Sequence, residues 1–356
     1  MTTAVPGPEL HRSYHQLRVA RVIEETADAV SIVLGIPADL EGVFQYQSGQ
    51  FLTFKIPYED KVLVRCYSLS SAPGCDAEHQ VTIKRIADGR ISNWVNDTVC
   101  AGSTLMVLPP AGLFTLADSD RDLVFFSAGS GITPVFSLMK SALAASQRTV
   151  RLVYANRDEG SIIFKDEIEC LSVAYGQRLS VVHRLDDVDG FMDVAAAREI
   201  VAAGRDAEFY MCGPGPFMDV VKQALTAEHI AEQCCHVECF ESPPDEPYEE
   251  MHDRAVLEAQ AAGDIPELIT VNLDGSTQQV AYTAGETVLG AIRRAGVEPP
   301  FSCTDGYCGC CMAKLEDGEV KMANNDFLSD EDVAAGWILT CQSCPITASC
   351  EVTYPD

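Results

Sequence analysis

Four cysteines near the C-terminus of this 356-residue chain have a spacing that is typical of a metal centre. Cys308 follows Cys303 after four intervening residues, Cys311 follows after two more, and Cys341 comes after a further 29. A C-x4-C-x2-C run with a distant fourth cysteine is the plant-type pattern for a [2Fe-2S] cluster held by four thiolates. The sequence therefore predicts an iron–sulfur cluster bound by these four cysteines.

Neighbouring residues fit the cluster and leave some alternatives open. Gly306 and Gly309 allow the backbone conformations and the close approach that a loop around a cluster needs. A zinc site is the competing interpretation, but zinc loops usually carry paired C-x2-C knuckles, and one such pair occurs here with the right partner. Cys310 is expected to be a thiol that does not bind iron, and Cys344 is a weaker alternative to Cys341 as the fourth ligand.

The stretch RCYS, residues 65–68, ends a β-type run and contains groups that suit a flavin. Tyr67 offers a flat aromatic face for the ring, and Ser68 offers a hydrogen bond to N5, which makes it a candidate catalytic residue. Arg65 and Lys84 supply cationic groups for the phosphates. Ile83, beside Lys84, joins the candidate flavin-binding residues. Each of these residues taken singly is common in a strand.

The stretch GRIS, residues 89–92, adds a candidate site for the pyrophosphate of the flavin nucleotide. Ser92 is expected to open a helix over SNWVNDTV, where its hydroxyl and the first free N–H groups can bind an anion. Gly89 leaves room for the phosphates, and Ile91 lies in the same turn. The simpler interpretation is that Ser92 is only a helix N-cap.

Two glycine loops, each between a strand and a helix, indicate a dinucleotide site. The first, GSGITP, contributes Gly129, Gly131, Thr133 and Pro134, although the third glycine of a G-x-G-x-x-G motif is replaced by the proline. The second runs from residue 212 to 218. Two such loops on one parallel sheet predict a ligand that lies across it. The predicted contacts in the second loop are Cys212, Gly213, Pro214, Gly215 and Met218.

The loops also suggest which nucleotide binds and how it is placed. Thr133 and Cys212 are candidate catalytic residues that place the nicotinamide, although a lone cysteine is by default only a buried thiol. Asn156 and Arg157 end the next strand, where the adenosine ribose is expected. Arg157 suits a 2'-phosphate, whereas the acidic Asp158 and Glu159 would repel one. We therefore expect NADH rather than NADPH.

The elements that must position these residues fall into successive domains. Six short β-type runs predict an antiparallel FAD-binding β-barrel over 14–117. Strands that alternate with helices predict a parallel-sheet α/β nucleotide domain over 118–240. A proline-rich stretch with eight acidic residues and one basic residue predicts a solvated linker over 241–266. The cysteine loop then lies in a β-grasp ferredoxin domain over 267–356.

The overall composition limits the partners and the compartment. The formal net charge is −28, and residues 241–356 hold 22 acidic against 5 basic side chains. This charge argues against nucleic acid or an anionic membrane as a partner and favours a partner with a basic patch. No secretory signal or membrane span is evident and fifteen cysteines fit a reducing compartment, so a cytoplasmic protein is expected, and a monomer is compatible with these features.

The motifs RCYS, GRIS, GSGITP, CGPGPFM and the cysteine loop, in this order, resemble the ferredoxin-NADP reductase superfamily with a C-terminal plant-type ferredoxin domain. Within it, the chain is similar to the reductases of bacterial 3-ketosteroid 9α-hydroxylases and, as close kin, of phenylacetyl-CoA epoxygenases. The resemblance implies FAD in the barrel, NADH on the glycine loops, and Phe240 as a residue that covers the flavin. It also implies a terminal oxygenase as the electron acceptor.

Electron counting gives the expected function. A hydride carries two electrons and a [2Fe-2S] cluster accepts one, so a flavin must divide them between NADH and the cluster. Together with the resemblance, this electron counting predicts an NADH-dependent reductase that delivers single electrons to a Rieske-type oxygenase. The alternatives are the same reductase serving another oxygenase, and a passive electron carrier or redox sensor in which only the cluster works.

Overall fold

The computed structural model describes residues 14–59, 61–240, 265–273, 275–297, 299–301, 306, 309–325, 327–328 and 330–354. Tyr14–Phe240 forms one compact unit, and the C-terminal residues belong to another. Of the predicted linker, only the last two positions lie within the described residues. Cys303 and Cys308 lie outside them.

The first domain is an antiparallel barrel, in which all six predicted runs form strands. The sheet order is β4-β3-β6-β1-β2-β5, and Leu69 bridges to Val81, which connects the end of β4 with β5. Its elements are β1 (His15–Thr26), β2 (Ala29–Gly35), β3 (Phe51–Tyr58), β4 (Lys61–Ser68), β5 (His79–Lys84), α1 (Arg90–Thr98) and β6 (Thr104–Val107).

Alternation of side chains builds the barrel core. On β1, Leu17 and Val19 are buried while Arg18 between them is exposed, as the two-residue period of a strand requires. Leu52, Phe54 and Ile56 of β3 point into the same core. The inward face is therefore fixed by sequence, and it determines which residues of the neighbouring β4 face outward.

The second domain is a five-stranded parallel sheet with strand order β11-β10-β7-β8-β9. Strand β7, LVFFSA, is buried along its whole length, as expected for a strand that is covered on both faces. Its elements are β7 (Leu123–Ala128), α2 (Ile132–Ala145), β8 (Val150–Asn156), α3 (Lys165–Tyr175), β9 (Leu179–Leu185), α4 (Asp186–Asp189), α5 (Val194–Ala203), β10 (Glu208–Cys212), α6 (Gly215–Ala227) and β11 (Cys235–Glu238).

The strand order places the switch point of the sheet between β7 and β10. The chain moves outward from β7 through β8 to β9, then returns by way of α5 to place β10 on the other side of β7. Ligands of such sheets bind beside the carboxyl ends of the strands at this reversal. The sequence analysis did not identify α4 and α5, although a parallel connection between β9 and β10 requires a crossover element.

The described C-terminal residues form a third, mixed sheet with strand order β13-β12-β16-β14-β15. Strands β12 and β16 are parallel, and the other neighbouring strands are antiparallel. The elements are β12 (Leu268–Leu273), β13 (Ser276–Ala281), α7 (Val288–Arg294), β14 (Met312–Met322), α8 (Asp330–Ala334), β15 (Trp337–Leu339) and β16 (Ser343–Thr353). The three sheets confirm the predicted fold class.

Candidate functional site

The end of strand β4 presents the predicted flavin residues. Arg65 and Tyr67 lie two residues apart and therefore on the same face of the strand. The Tyr67 ring packs against Phe54, with 5.6 Å between ring centroids. Burial raises the pKa of the Tyr67 phenol, which keeps it neutral at physiological pH. Tyr67 is thus a rigid, uncharged aromatic group beside a cationic one.

Ser68 has an unsatisfied hydroxyl that fits a role in cofactor binding. Its side chain is 3% exposed, and its Oγ has no hydrogen-bond partner among the residues that the structure describes. A buried hydroxyl without a partner costs free energy, so such groups usually meet a ligand or an ordered water. This is the position at which a hydrogen bond to flavin N5 is expected.

The helix after the GRIS stretch begins earlier than predicted. Helix α1 starts at Arg90 with Gly89 at its N-cap, so Ser92 is the third helical residue and does not open the helix. The Ser92 hydroxyl accepts a hydrogen bond from the Ile86 N–H at 3.2 Å. A β-carbon at Gly89 would lie 2.5 Å from this hydroxyl, which explains the glycine. The N–H groups of the first turn remain the candidate phosphate donors.

The predicted isoleucines contribute differently from the polar residues around them. Ile83 and Ile91 are 1% and 2% exposed and pack inside the barrel core. Their side chains stabilise β5 and α1, so any cofactor contact from these two residues would come from backbone groups. Their candidacy depends on their positions in the sequence beside Lys84 and Ser92.

Lys84 connects the barrel to the nucleotide domain. A β-carbon at Gly129 would lie 3.9 Å from Lys84 Nζ, so the end of β5 faces the first glycine loop. Lys84 also lies 3.9 Å from a carboxylate oxygen of Asp28, which is 3.7 Å from Arg157. Residues predicted separately for the flavin and for the nucleotide are therefore brought together at one edge.

The two glycine loops touch through their backbones at the switch point. A β-carbon at Gly131 would lie 2.1 Å from the carbonyl oxygen of Cys212 and 2.8 Å from the Gly213 nitrogen. Thr133 follows on α2, 2% exposed, and donates a hydrogen bond to the Ser130 carbonyl. Pro134 is also buried, as the third residue of α2. Only a glycine at position 131 permits this approach.

The second loop places its residues around the start of α6. Pro214 is the N-cap and Gly215 the first helical residue. Pro216 has no N–H, and the Phe217 N–H donates to the Pro214 carbonyl at 3.0 Å, so the Gly215 N–H is the candidate ligand donor of this first turn. Met218 is buried against the sheet and contributes packing. Phe240, at the last described position of this unit, is 45% exposed.

Cys212 and two residues that sequence analysis did not identify lie side by side across the sheet. Cys212 pairs with Ser127 of β7 and with Glu238 of β11. Burial raises the pKa of the Cys212 thiol well above its usual value, so it is neutral. The Ser127 hydroxyl is fully buried without a hydrogen-bond partner among the described residues, and burial raises the pKa of Glu238 to about 8. The sequence signal that could have identified Glu238 was the presence of an acidic residue within the apolar run HVECF.

Arg157, which follows the buried Asn156 at the end of β8, forms ion pairs with acidic residues. Arg157 lies 2.9 Å from a carboxylate oxygen of Asp158, and this contact raises the pKa of the guanidinium. Asp158 also caps the short 3₁₀ turn that follows, through a capping box with Ser161. A guanidinium neutralised by its own chain is poorly suited to a 2'-phosphate, which agrees with the expectation of NADH.

Two of the four predicted cluster ligands lie within the described residues, and they meet. The sulfurs of Cys311 and Cys341 are 3.1 Å apart and buried, although 30 positions separate them. This contact lowers the pKa of the Cys311 thiol against the effect of burial. Gly309 has φ +67°, and a β-carbon there would lie 2.3 Å from the Phe327 ring. The pair and its glycine fit thiolate ligation of a metal cluster.

The two alternative thiols have different surroundings. Cys344 is buried on β16, and its thiol forms a hydrogen bond with the Tyr282 hydroxyl, while burial raises its pKa to about 11. Cys310, next to Cys311, is partly exposed. The sulfur that lies against Cys311 is that of Cys341, so Cys341 stays the favoured fourth ligand.

Comparison with known proteins identifies the class of each domain. Residues 16–116 match the oxidoreductase FAD-binding domain family, residues 125–223 the oxidoreductase NAD-binding domain family, and residues 271–345 the 2Fe-2S iron-sulfur cluster binding domain family. The chain is therefore an oxidoreductase that uses FAD, NADH and a [2Fe-2S] cluster.

Relatives match over nearly the full length. The chain is 42% identical to the ferredoxin reductase component of 3-ketosteroid-9-alpha-monooxygenase from Rhodococcus rhodochrous, covering 99% of this chain and 100% of that protein. It is 30% identical to one subunit of the 1,2-phenylacetyl-CoA epoxidase of Escherichia coli, covering 96% and 98%. The fold of phthalate dioxygenase reductase matches with a TM-score of 0.59 at 24% identity, covering 96% and 98%. The chain belongs to the ferredoxin-NADP reductase superfamily, in the group with a C-terminal [2Fe-2S] domain.

The close approach of the two glycine loops is tested by Gly131→Ala. We expect this change to lower the free energy of unfolding by about 1–3 kcal/mol, because the new β-carbon must push the Cys212 carbonyl away. Thermal unfolding measures the effect. Gly215→Ala is the matched control, since none of the described atoms lies within 4 Å of a β-carbon there. Equal melting temperatures for both variants would contradict the packing argument.

The raised pKa of Glu238 predicts a pH dependence of stability. Its folded-state pKa of about 8 exceeds the unfolded value near 4.3, so the free energy of unfolding falls as pH rises from about 4.3 to 8, where the unfolded chain ionises this carboxyl and the folded chain does not. Glu238→Gln imitates the protonated carboxyl. We expect its melting temperature to be close to that of the wild type at pH 4 and to exceed it by a margin that grows up to about pH 8. The exposed Glu232→Gln is the control, and a difference independent of pH would refute the assignment.

The choice of the fourth cluster ligand is tested by three serine variants. We expect Cys341→Ser to abolish the electron paramagnetic resonance signal of the dithionite-reduced cluster, because one iron loses its thiolate. Cys344→Ser and Cys310→Ser are expected to keep the signal. Flavin absorbance in all three variants reports that the rest of the chain is folded. Loss of the signal in Cys344→Ser with its retention in Cys341→Ser would reverse the assignment.

Proposed function

We propose that this protein is the reductase component of a 3-ketosteroid 9α-hydroxylase and passes electrons from NADH through FAD and the [2Fe-2S] cluster to a Rieske-type terminal oxygenase. The observation that carries the proposal is the 42% identity to such a component over essentially the whole of both chains. All three cofactor domains lie within that match.

The predicted site residues receive roles from their geometry, and we propose these roles for the bound state. Arg65, Lys84 and the N–H groups of the first turn of α1 hold the phosphates of FAD, with Tyr67 against its ring and Ser68 at N5. FAD, when bound, takes up two electrons together and releases them singly. The buried Ser68 hydroxyl, unsatisfied among the described residues, is the feature that best supports this placement.

The nucleotide residues act by binding and orienting NADH. The loop of Gly129 and Gly131 and the loop of Gly213 and Gly215 supply backbone donors for the pyrophosphate. Thr133 and the neutral Cys212 position the nicotinamide, and Asn156 and Arg157 receive the adenosine half. Phe240, exposed at the end of the unit, would cover the flavin ring. Cys303 and Cys308 complete the ligand set of Cys311 and Cys341.

The acidity of the C-terminal third supports a basic docking patch on the oxygenase. Glu316, Asp317 and Glu319 are exposed on β14, close in sequence to the cluster ligand Cys311. Charges of one sign steer a complementary partner and speed its association, and salt screens the effect within about 10 Å at 0.1 M. Electron delivery to the oxygenase should therefore slow as ionic strength rises.

A cytoplasmic location fits the chemistry of the surface thiols. Cys75, Cys100 and Cys170 are exposed free thiols, as is usual in a reducing compartment where NADH is also available. Among the residues that the structure describes, no helix has the length and apolar character needed to cross a membrane.

A second candidate is the reductase of a phenylacetyl-CoA epoxidase, which the 30% identity over 96% of the chain supports. A passive electron carrier is disfavoured because the nucleotide loops and the flavin residues are assembled at one sheet edge.

Reconstitution distinguishes these candidates. In the first step, NADH should bleach the flavin and then the cluster absorbance of the purified protein anaerobically, and a spectrum unaffected by NADH would exclude the reductase function. In the second step, the protein is combined with a 3-ketosteroid 9α-hydroxylase oxygenase or with phenylacetyl-CoA epoxidase. We expect NADH-dependent 9α-hydroxylation with the first partner at a rate at least tenfold above turnover with the second, and the reverse order would favour the alternative.

A further inference from the structure

Helix α2, which starts beside the nucleotide loop, carries a row of hydroxyl residues. Thr133, Ser137 and Ser141 stand four residues apart, and residues with this spacing lie on one face of a helix. Ser137 and Ser141 both form hydrogen bonds with the barrel domain. We refer to these three residues as the hydroxyl row of α2.

The central contact of the row is buried on both sides. The Ser137 hydroxyl donates a hydrogen bond to the backbone carbonyl of Ser71 at 2.5 Å, and the two side chains are 0% and 2% exposed. Ser71 is itself fixed, because its hydroxyl lies 2.6 Å from the Tyr46 hydroxyl and accepts a hydrogen bond from the Gln80 N–H. Ser137 thus binds to a rigid part of the barrel.

Further contacts along α2 support the same attachment. The hydroxyls of Ser141 and Ser48 lie 2.5 Å apart. Lys140 forms an ion pair with Asp76, whose carboxylate also accepts a hydrogen bond from the Ala72 N–H at 2.7 Å. The segment after β4 is therefore held against α2 at several successive points.

The choice of partner by Ser137 distinguishes this contact from ordinary helix packing. A serine within a helix commonly donates to the carbonyl one turn earlier, as Ser172 does to Ile168 on α3. The Ser137 hydroxyl donates instead to the barrel. This hydrogen bond therefore links helix α2 of the nucleotide domain to the barrel domain.

The two ends of this bond are close in sequence to two of the candidate site residues. Ser71 stands three residues after Ser68, the candidate partner of flavin N5. Ser137 stands one helical turn after Thr133, the candidate nicotinamide contact. A shift of α2 relative to the segment at Ser71 would therefore change the distance between the nicotinamide and the flavin.

We propose that Ser137, through its hydrogen bond to the Ser71 carbonyl, is a positioning residue that fixes the distance and the angle between NADH and the flavin ring for hydride transfer. The inference rests on the proposed passage of electrons from NADH to FAD. A misplacement of about 1 Å at a reacting centre can slow a reaction roughly a hundredfold, so one buried bond at this location has a measurable effect.

The test compares Ser137→Ala with Ser172→Ala. Ser172 lies on a helix of the same domain, and its hydroxyl donates a hydrogen bond within that helix. Anaerobic stopped-flow absorbance follows flavin reduction by NADH at saturating concentration, expressed per bound FAD. We expect Ser137→Ala to slow this step about tenfold or more and to weaken the long-wavelength charge-transfer absorbance, with NADH affinity changed less than threefold. Ser172→Ala should match the wild type.

Two further measurements separate positioning from folding. Ser137→Cys, which retains a weak donor on a larger atom, should recover part of the rate. Hydrogen exchange of the FAD-bound protein should show faster exchange in residues 69–76 for Ser137→Ala alone. If Ser137→Ala does not fold, Asp76→Asn, which weakens the neighbouring ion pair at the surface, should give the same slowing to a smaller degree.

A rate per bound FAD within twofold of the wild type in Ser137→Ala, or in Asp76→Asn where the first variant does not fold, would overturn the proposal. So would a loss of FAD and of thermal stability without any change in rate or charge-transfer absorbance. Failure of the parent protein to reduce its flavin with NADH would instead refute the proposed function, so the two failures are distinguishable.

Discussion

The contact between the backbone at Gly131 and the Cys212–Gly213 peptide is the constraint on which the nucleotide site depends. Two loops from strands far apart in sequence reach this distance because β10 pairs directly with β7, in register from Leu123 with Glu208 to Ser127 with Cys212. A side chain at position 131 would separate the loops, and the crevice between them would lose its shape. Strand pairing therefore determines the site before any ligand is present.

The barrel has to be held at that crevice, and the structure does this with polar contacts. Asp28 faces both Lys84 of the barrel and Arg157 of the nucleotide domain, while the hydroxyl row of α2 holds the segment after β4. Polar contacts have directional geometry, which apolar packing lacks. The described contacts thus specify how the flavin strand meets the nucleotide loop.

Much of this arrangement was predictable from sequence because it depends on local patterns. Alternation gave the barrel strands, and glycine loops after apolar strands located the nucleotide site. The errors and omissions involve contacts that no sequence motif displays. Ser92 was misplaced because Gly89 and Ile86 determine where α1 begins. Ser127 and Glu238 were missed because their surroundings depend on which strands become neighbours.

The choice of cluster ligand is a second case in which the sequence pattern needs the structure to explain it. Spacing alone selected Cys341 over Cys344, although the two are only three residues apart. The structure supplies a physical reason, because Cys341 lies in the turn before β16 and reaches Cys311, whereas Cys344 lies in β16 with its thiol at Tyr282. A hydroxyl partner and a strand position leave Cys344 a neutral core thiol. Turn geometry, rather than the number of nearby cysteines, therefore determines which sulfur is available to a metal cluster.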